Sequence, residues 1–347
     1  MAWPRFTRFV LFATLLIGVC LYAFILILDP YQNVPFSPAL NRAPVSTNQR
    51  FAYPALAREL DFDGAIIGTS TVRLLDPARL GQLLDARFVN LAMNSATAYE
   101  QTRIHEVFVR HHPAARYLVF GIDETWCNRA DTIKQYTFRA FPEWMYDENR
   151  WNDLLYLFND KALENAVRML ELLTGRREPK YRLDGYRDFT GDFGSYDLAV
   201  VRERLYGTAQ PPVADVQIAP SLTQPGWDYP LLDVLRDVLN ETPAPTRIIL
   251  LFPPLHSHYV AGRIANLREC KGRLAALLPN FDNVAVLDFM HISPLTRADT
   301  NYWDPLHFTN EVAVSLERDI ARVLERAAPL SKFARDFSFS IPAGDRP

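Results

Sequence analysis

The sequence has no excess of positive charge. Its 37 Lys and Arg residues face 40 Asp and Glu, leaving a net charge of −3. Nothing in that balance draws the chain to a phosphate backbone, so no nucleic-acid partner is expected. Lysine is scarce, five of the 37 cations, which reads as codon bias in a GC-rich genome and not as an RNA-binding signal. Cysteine is scarcer: three residues, with no CxxC and no metal-ligand spacing. That excludes a disulfide-stapled miniprotein, and neither a metal nor another cofactor is expected. Cys20 lies in an apolar run. Cys127 and Cys270 read as two separate buried thiols, with one disulfide in an oxidising compartment as the alternative. There is no internal repeat, and the phosphate-loop pattern GxxxxGK[ST] is absent.

What remains is globular. A hydrophobic fraction of 49% with 22% charge excludes a disordered or collagen-like chain. The 347 residues are enough for one large domain or two smaller ones.

Residues Phe9 to Leu28 form an uncharged apolar run of 20. As a helix it would span about 30 Å, the hydrocarbon thickness of a bilayer. Arg5 and Arg8 precede it, and Asp29 and Pro30 end it. The positive-inside rule then leaves the N-terminus cytoplasmic and the rest of the chain outside the inner membrane. A cleaved signal peptide is the rival. The run is longer than the usual h-region and no small-x-small site follows it, which favours a retained anchor. The expected organisation is an anchor over 1–29, an extended linker and lead-in over 30–60, and one domain over 61–347.

Within that domain, short apolar runs alternate with helical spacing. Strands are expected at Gly64–Gly68, Phe88–Ala92, Tyr117–Gly121, Arg247–Phe252 and Val284–Asp288. Helices are expected at Pro77–Leu84, Ala98–His111, Ala261–Leu278 and Thr309–Ala327. This pattern predicts an α/β fold, a central parallel sheet covered on both faces. Residues 126–228 interrupt it and read as a helical and irregular insertion, with one clear helix near Trp151–Leu173. Its aromatics, among them Trp126, Tyr146 and Tyr196, read as the insertion's own core, with a sugar-lining role as the alternative. The tail from Arg335 to Pro347 is expected to be loose.

In open parallel sheets the active site lies at the carboxyl ends of the strands. After the first strand stands Gly68-Thr69-Ser70. A serine at a strand-to-helix turn can act as a nucleophile, or simply cap the helix. Asp304-Pro305-Leu306-His307 precedes the last helix. The three-residue spacing lets Asp304 hold the imidazole of His307, which can serve as general base. After the fourth strand comes Pro254-Leu255-His256-Ser257-His258, where His256 reads as a surface-loop residue or a substrate contact. Metal binding is disfavoured there by ligand count.

Ser70 after strand one and Asp-x-x-His before the last helix together resemble the SGNH/GDSL hydrolase superfamily. The resemblance spans residues 62–327 outside the insertion. It implies a flavodoxin-like three-layer α/β/α fold, with Ser70 as nucleophile, His307 as proton carrier and Asp304 as its orienting group. Asn90-Leu91-Ala92-Met93-Asn94-Ser95-Ala96 resembles the family's second block, with Ser95 near its usual oxyanion-hole glycine. The third block is Gly121-Ile122-Asp123-Glu124, where the family has an Asn that donates to the oxyanion. An ionised Asp123 can only accept hydrogen bonds. It is therefore protonated, or paired with a cation such as Arg73, or replaced as donor by Asn94, or catalysis is lost.

With its anchor, the layout resembles the membrane-bound SGNH proteins of bacterial envelopes, of the alginate-acetylation and teichoic-acid D-alanylation type. That resemblance implies acyl transfer to, or removal from, an envelope polysaccharide, beside a membrane-bound O-acyltransferase. The alternatives are a non-catalytic module that binds glycan or docks such a transferase, and a general periplasmic esterase.

Overall fold

The computed structural model describes residues 3–37, 42–129, 132–207 and 227–325, and the backbone of Arg335 and Asp336. In chain order the main elements are α1 (Trp3–Leu28), α2 (Gln49–Arg58), β1 (Gly64–Ile67), α3 (Pro77–Leu84), β2 (Phe88–Asn90), α4 (Ala98–His111), β3 (Tyr117–Gly121), α5 (Asp160–Leu173), α6 (Leu198–Tyr206), α7 (Pro230–Glu241), β4 (Arg247–Phe252), α8 (Ser257–Ala261), α9 (Ile264–Leu277), β5 (Val284–Asp288), α10 (Pro294–Arg297), α11 (Asn310–Leu324) and β6 (Arg335–Asp336). The chain divides into two compact units. Unit 1 holds residues 1–56 and 140–185, and unit 2 holds 57–139 and 186–347.

Unit 2 contains the sheet. Its order is β2-β1-β3-β4-β5-β6, with the first five strands parallel and the two-residue β6 antiparallel at the edge. The strands are short, apolar and almost wholly buried, as expected where helices cover both faces. Helix α11 packs on α3 and β4, while α4 packs on β1 and α7, and α7 on α9. Right-handed crossovers from a strand order that reverses at β1 put these two helix groups on opposite faces. Apolar residues of α11 (Val312, Leu316, Ile320) and strand residues Ile66, Val119, Ile249 and Leu287 share one core.

Sequence signals fix the helix ends. Thr97 and Glu100 form a capping box at the start of α4, and Asp76 caps α3, whose first residue is Pro77. Helix α7, absent from the expected pattern, has Pro230 at its start and buries Leu231, Leu235, Val238 and Leu239 at helical spacing.

Unit 1 contains the apolar helix. Helix α1 has 26 residues and is long and apolar enough to cross a membrane. It ends on a left-handed Asp29, and Arg42 donates to the terminal carbonyls of Leu28 (3.0 Å) and Asp29 (3.1 Å). The stretch expected as a linker therefore contributes buried side chains: Tyr31, Asn33, Val34 and Arg42 are all enclosed. The expected insertion is shared. Residues 140–185 belong to unit 1 and its other described residues to unit 2. Its residues 130–131 and 208–226, the expected loose tail apart from the backbone of 335–336, and the last two residues of the expected Thr309–Ala327 helix lie outside the described residues.

The expectation of two separate thiols is corrected. Cys127 and Cys270 form a disulfide with Cα atoms 5.5 Å apart, joining the segment after β3 to α9. Each thiol is buried as the sequence suggested, and the fold brings them face to face.

Candidate active site

Strands β1 and β3 are neighbours whose outgoing connections run to opposite sides, so a crevice opens between their carboxyl ends. The approach there is close. A Cβ on Gly68 would meet Val72 Cγ2 at 2.6 Å, and one on Gly121 would meet Val72 Cγ1 at 2.8 Å. Glycine at both positions lets Val72 tuck under the turn. Above it, Ser70 opens a 3-10 turn, Ser70–Val72, with Thr69 as its cap. Thr71 N donates to the Thr69 hydroxyl at 3.3 Å and Val72 N to Thr69 O at 3.3 Å, which fixes the turn that carries Ser70.

His307 arrives on a tight hairpin after α10. Buried Tyr302 and Phe308 form an antiparallel bridge, and Trp303 N donates to His307 O at 2.8 Å. Asp304 Oδ1 accepts from the backbone N–H of Leu306 (2.8 Å) and of His307 (2.9 Å), an Asx turn that Pro305 favours. The same carboxylate holds the ring: His307 Nδ1 lies 2.7 Å from Asp304 Oδ2. His307 Nε2 lies 2.9 Å from Ser70 Oγ. Three residues that the sequence singled out are thus in one chain of hydrogen bonds. Burial works against ionisation of Asp304, but the His307 ring and the two N–H donors outweigh it and hold its pKa below the ordinary 3.8.

The remaining candidates divide. Asn94 belongs to this crevice: its Oδ1 accepts from the guanidinium of Arg73. Ser95 beside it has φ 52°, in the left-handed region. That conformation explains why a glycine suits this position. Asp123 is buried under the turn, where its Oδ2 accepts from the hydroxyls of Thr69 and Thr71 and its Oδ1 from Thr125 N at 2.9 Å. Burial raises its pKa, the hydrogen bonds offsetting this only in part. Its partners are therefore neutral donors and not Arg73, which lies over the Phe189 ring, 4.8 Å from its centroid, and leaves Nη2 buried without a partner.

His256 is not a surface-loop residue. It is 1% exposed, packed edge-on against Tyr206 and Tyr302. Burial lowers its pKa, against the pull of Asp299. Nε2 is 3.3 Å from Asp299 Oδ1 without hydrogen-bond geometry. Its service is structural: His256 N donates to Pro305 O at 2.9 Å, bracing the Asp304–His307 hairpin from behind.

The sequence offered a lining role for the insertion's aromatics, Tyr196 among them, only as an alternative, and did not single out Phe189 or Phe193. Phe189 stands edge-on to His307 at 5.4 Å, and Phe193 lies 5.9 Å from the same ring. Phe193 stacks on Trp303 at 5.5 Å, and Tyr196 meets Trp303 edge-on at 5.0 Å. Three of these come from the insertion. Trp126, Tyr146, Tyr181 and Tyr186 are buried, as an internal core requires, so only part of that segment reaches the site.

No protein-family model and no curated protein matches this chain.

Proposed function

We propose that the protein is a serine-dependent acyl-transfer enzyme of SGNH type, held at the inner membrane by α1 and acting outside it on an acyl-bearing envelope polysaccharide. The observation that carries this reading is the continuous chain from Asp304 through His307 to Ser70 Oγ at the carboxyl edge of the sheet. Ser70 Oγ attacks the acyl carbonyl while its proton passes to His307 Nε2. The tetrahedral intermediate collapses, the leaving oxygen takes that proton, and an acyl ester remains on Ser70. A sugar hydroxyl or water then attacks that ester, giving its proton to His307, and Ser70 recovers one on release. Asp304 holds the tautomer and balances the transient imidazolium.

The oxyanion needs donors where charge develops. Ser70 N–H, the Ser95 backbone and the amide of Asn94 are the candidates. Arg73 grips the oxygen of Asn94, which leaves its NH2 as the donating end. Asp123 lies beneath the turn, tied to Thr69 and Thr71, and serves to hold the loop. The wall of Phe193, Trp303 and Tyr196 offers flat apolar faces suited to a sugar ring. The disulfide, and Arg5 and Arg8 ahead of the apolar run of α1, support an oxidising, extracytoplasmic location for the main domain. A multispanning O-acyltransferase is the partner that fits such an anchored transferase.

The test is labelling of the detergent-solubilised full chain by a fluorophosphonate, with Ser70→Ala and His307→Ala beside it. Labelling of the wild type, lost in both variants, is the expected result. A folded chain that never labels would overturn the reading in favour of a non-catalytic glycan-binding or docking module. Labelling with broad short-ester hydrolysis and no transfer to glycan would leave an esterase.

A further inference from the structure

Unit 1 exposes an apolar surface that its own packing does not explain. The stretch from Trp151 to Phe158 contains a 3-10 turn, Asn152–Tyr156, and presents Leu155 at 83% exposure, Trp151 at 64% and Phe158 at 59%. Phe36, also exposed, lies against Trp151 with ring centroids 6.1 Å apart. Its one carboxylate, Asp153, is fully buried and takes a hydrogen bond from Asn33 Nδ2. The ionisable group is thus turned inward and the hydrophobic side chains outward, the reverse of a surface made for water.

The position of this surface along α1 identifies what covers it. Tyr22 OH donates to Leu154 O at 2.7 Å, and the Tyr22 and Phe158 rings meet edge-on at 5.6 Å. Helix α5, which follows directly, packs along α1. Tyr22 lies six residues before the end of α1, so the 3-10 turn sits roughly 9 Å below that end at 1.5 Å rise per residue. If the apolar run spans the hydrocarbon, the turn stands at the depth of the acyl-chain boundary. Interfacial segments rich in Trp and Leu bury to about 5–10 Å at that boundary, and Trp and Tyr are favoured there.

We infer that Trp151–Phe158, with Phe36, is a membrane-embedded foot: a surface that inserts into the lipid interface of the outer leaflet beside α1 and fixes unit 1 on the bilayer. The lipid acyl chain and headgroup boundary is its partner. This inference rests on α1 spanning the membrane and on nothing about the catalytic residues.

The test uses the full chain in phosphatidylcholine and phosphatidylglycerol vesicles, with Cys20→Ser removing the free thiol. Nitroxide labels are placed at Leu155→Cys, at Leu16→Cys within α1, and at Glu178→Cys on the exposed polar side of unit 1. All three sites are solvent-facing in the fold, so the variants retain it. Collision with oxygen relative to a water-soluble nickel chelate reports immersion. A ratio several-fold higher at 155 than at 178, with 16 the highest, is expected. A label at 16 immersed while 155 matches 178 would overturn the foot and leave the anchor standing. Labels at 16 and 155 both aqueous would remove the anchor itself. A label at 155 that is aqueous in pure lipid, and shielded only in membranes of the producing cells, would overturn lipid contact in favour of a membrane-protein partner.

Discussion

The Asp304 carboxylate carries two kinds of duty for His307. It accepts the backbone N–H of His307 at 2.9 Å, and the same carboxylate takes the ring Nδ1 through Oδ2 at 2.7 Å. One side chain thus shapes the hairpin and orients the base. The two roles separate by substitution. Asp304→Asn retains an oxygen for the two backbone donors but loses the charge and the tautomer control. Its melting temperature is expected near wild type, while the labelling rate falls on the order of 10³- to 10⁴-fold. Asp304→Ala is expected to lose both. Equal melting temperatures for Asn and Ala would show that the hairpin does not depend on this cap.

Asp123 makes stability depend on pH. Its pKa is raised in the native state, because burial outweighs its three hydrogen bonds. The native state therefore holds this proton to higher pH than the unfolded chain does. Stability from this group is present below the ordinary 3.8 and declines as pH rises through the folded value. Asp123→Asn removes that decline. The variant's melting temperature, relative to wild type, is expected to climb between pH 4 and pH 8. A difference independent of pH would contradict the raised pKa.

Ser95 occupies the left-handed region at φ 52°. Relief of that strain by Ser95→Gly is expected to raise stability by up to about 1 kcal/mol, and the β-branched Ser95→Val to lower it by about 1–2 kcal/mol. Chemical denaturation measures both. Because the backbone path is preserved, labelling of the glycine variant should match wild type. A destabilised glycine variant would mean that the serine side chain outweighs the backbone strain.

The disulfide closes a sequence separation of 143 residues. Loss of such a bridge is expected to cost about 2–5 kcal/mol. The Cys127→Ser, Cys270→Ser double variant should melt lower, and wild type should drop to the same temperature under reductant. A reductant effect on the double variant would point to some other cause.

The parts of this molecule that are local in sequence were legible in it. Tyr117–Gly121, Arg247–Phe252 and Val284–Asp288 are strands with the bounds expected, because each is a short apolar run that follows a polar residue, Arg116, Thr246 or Asn283. Helix α4 runs from Ala98 to His111 as its spacing and its Thr97–Glu100 box indicate. Ser70 and the Asp304–His307 hairpin were recognisable because each is set by a short motif at a strand or helix end. What was hidden is long-range. Nothing local marks Phe189 and Phe193 as the insertion residues that flank His307. Unit 1 pairs residues 1–56 with 140–185, a juxtaposition that no window of sequence displays. Helix α7 is the exception: its apolar spacing from Leu231 to Leu239 stands in the sequence but was not among the expected helices.

Ser70 and His307 stand 237 positions apart, and the ring that approaches the hydroxyl rides on the last hairpin before α11. During synthesis the serine leaves the ribosome long before its partner exists. A chain that is still being threaded, or one truncated ahead of residue 300, carries an ordinary alcohol at position 70. On the function proposed above, reactivity toward an electrophile is a readout of completed topology, and a pulse of labelling reagent would time the closing of the sheet in living cells.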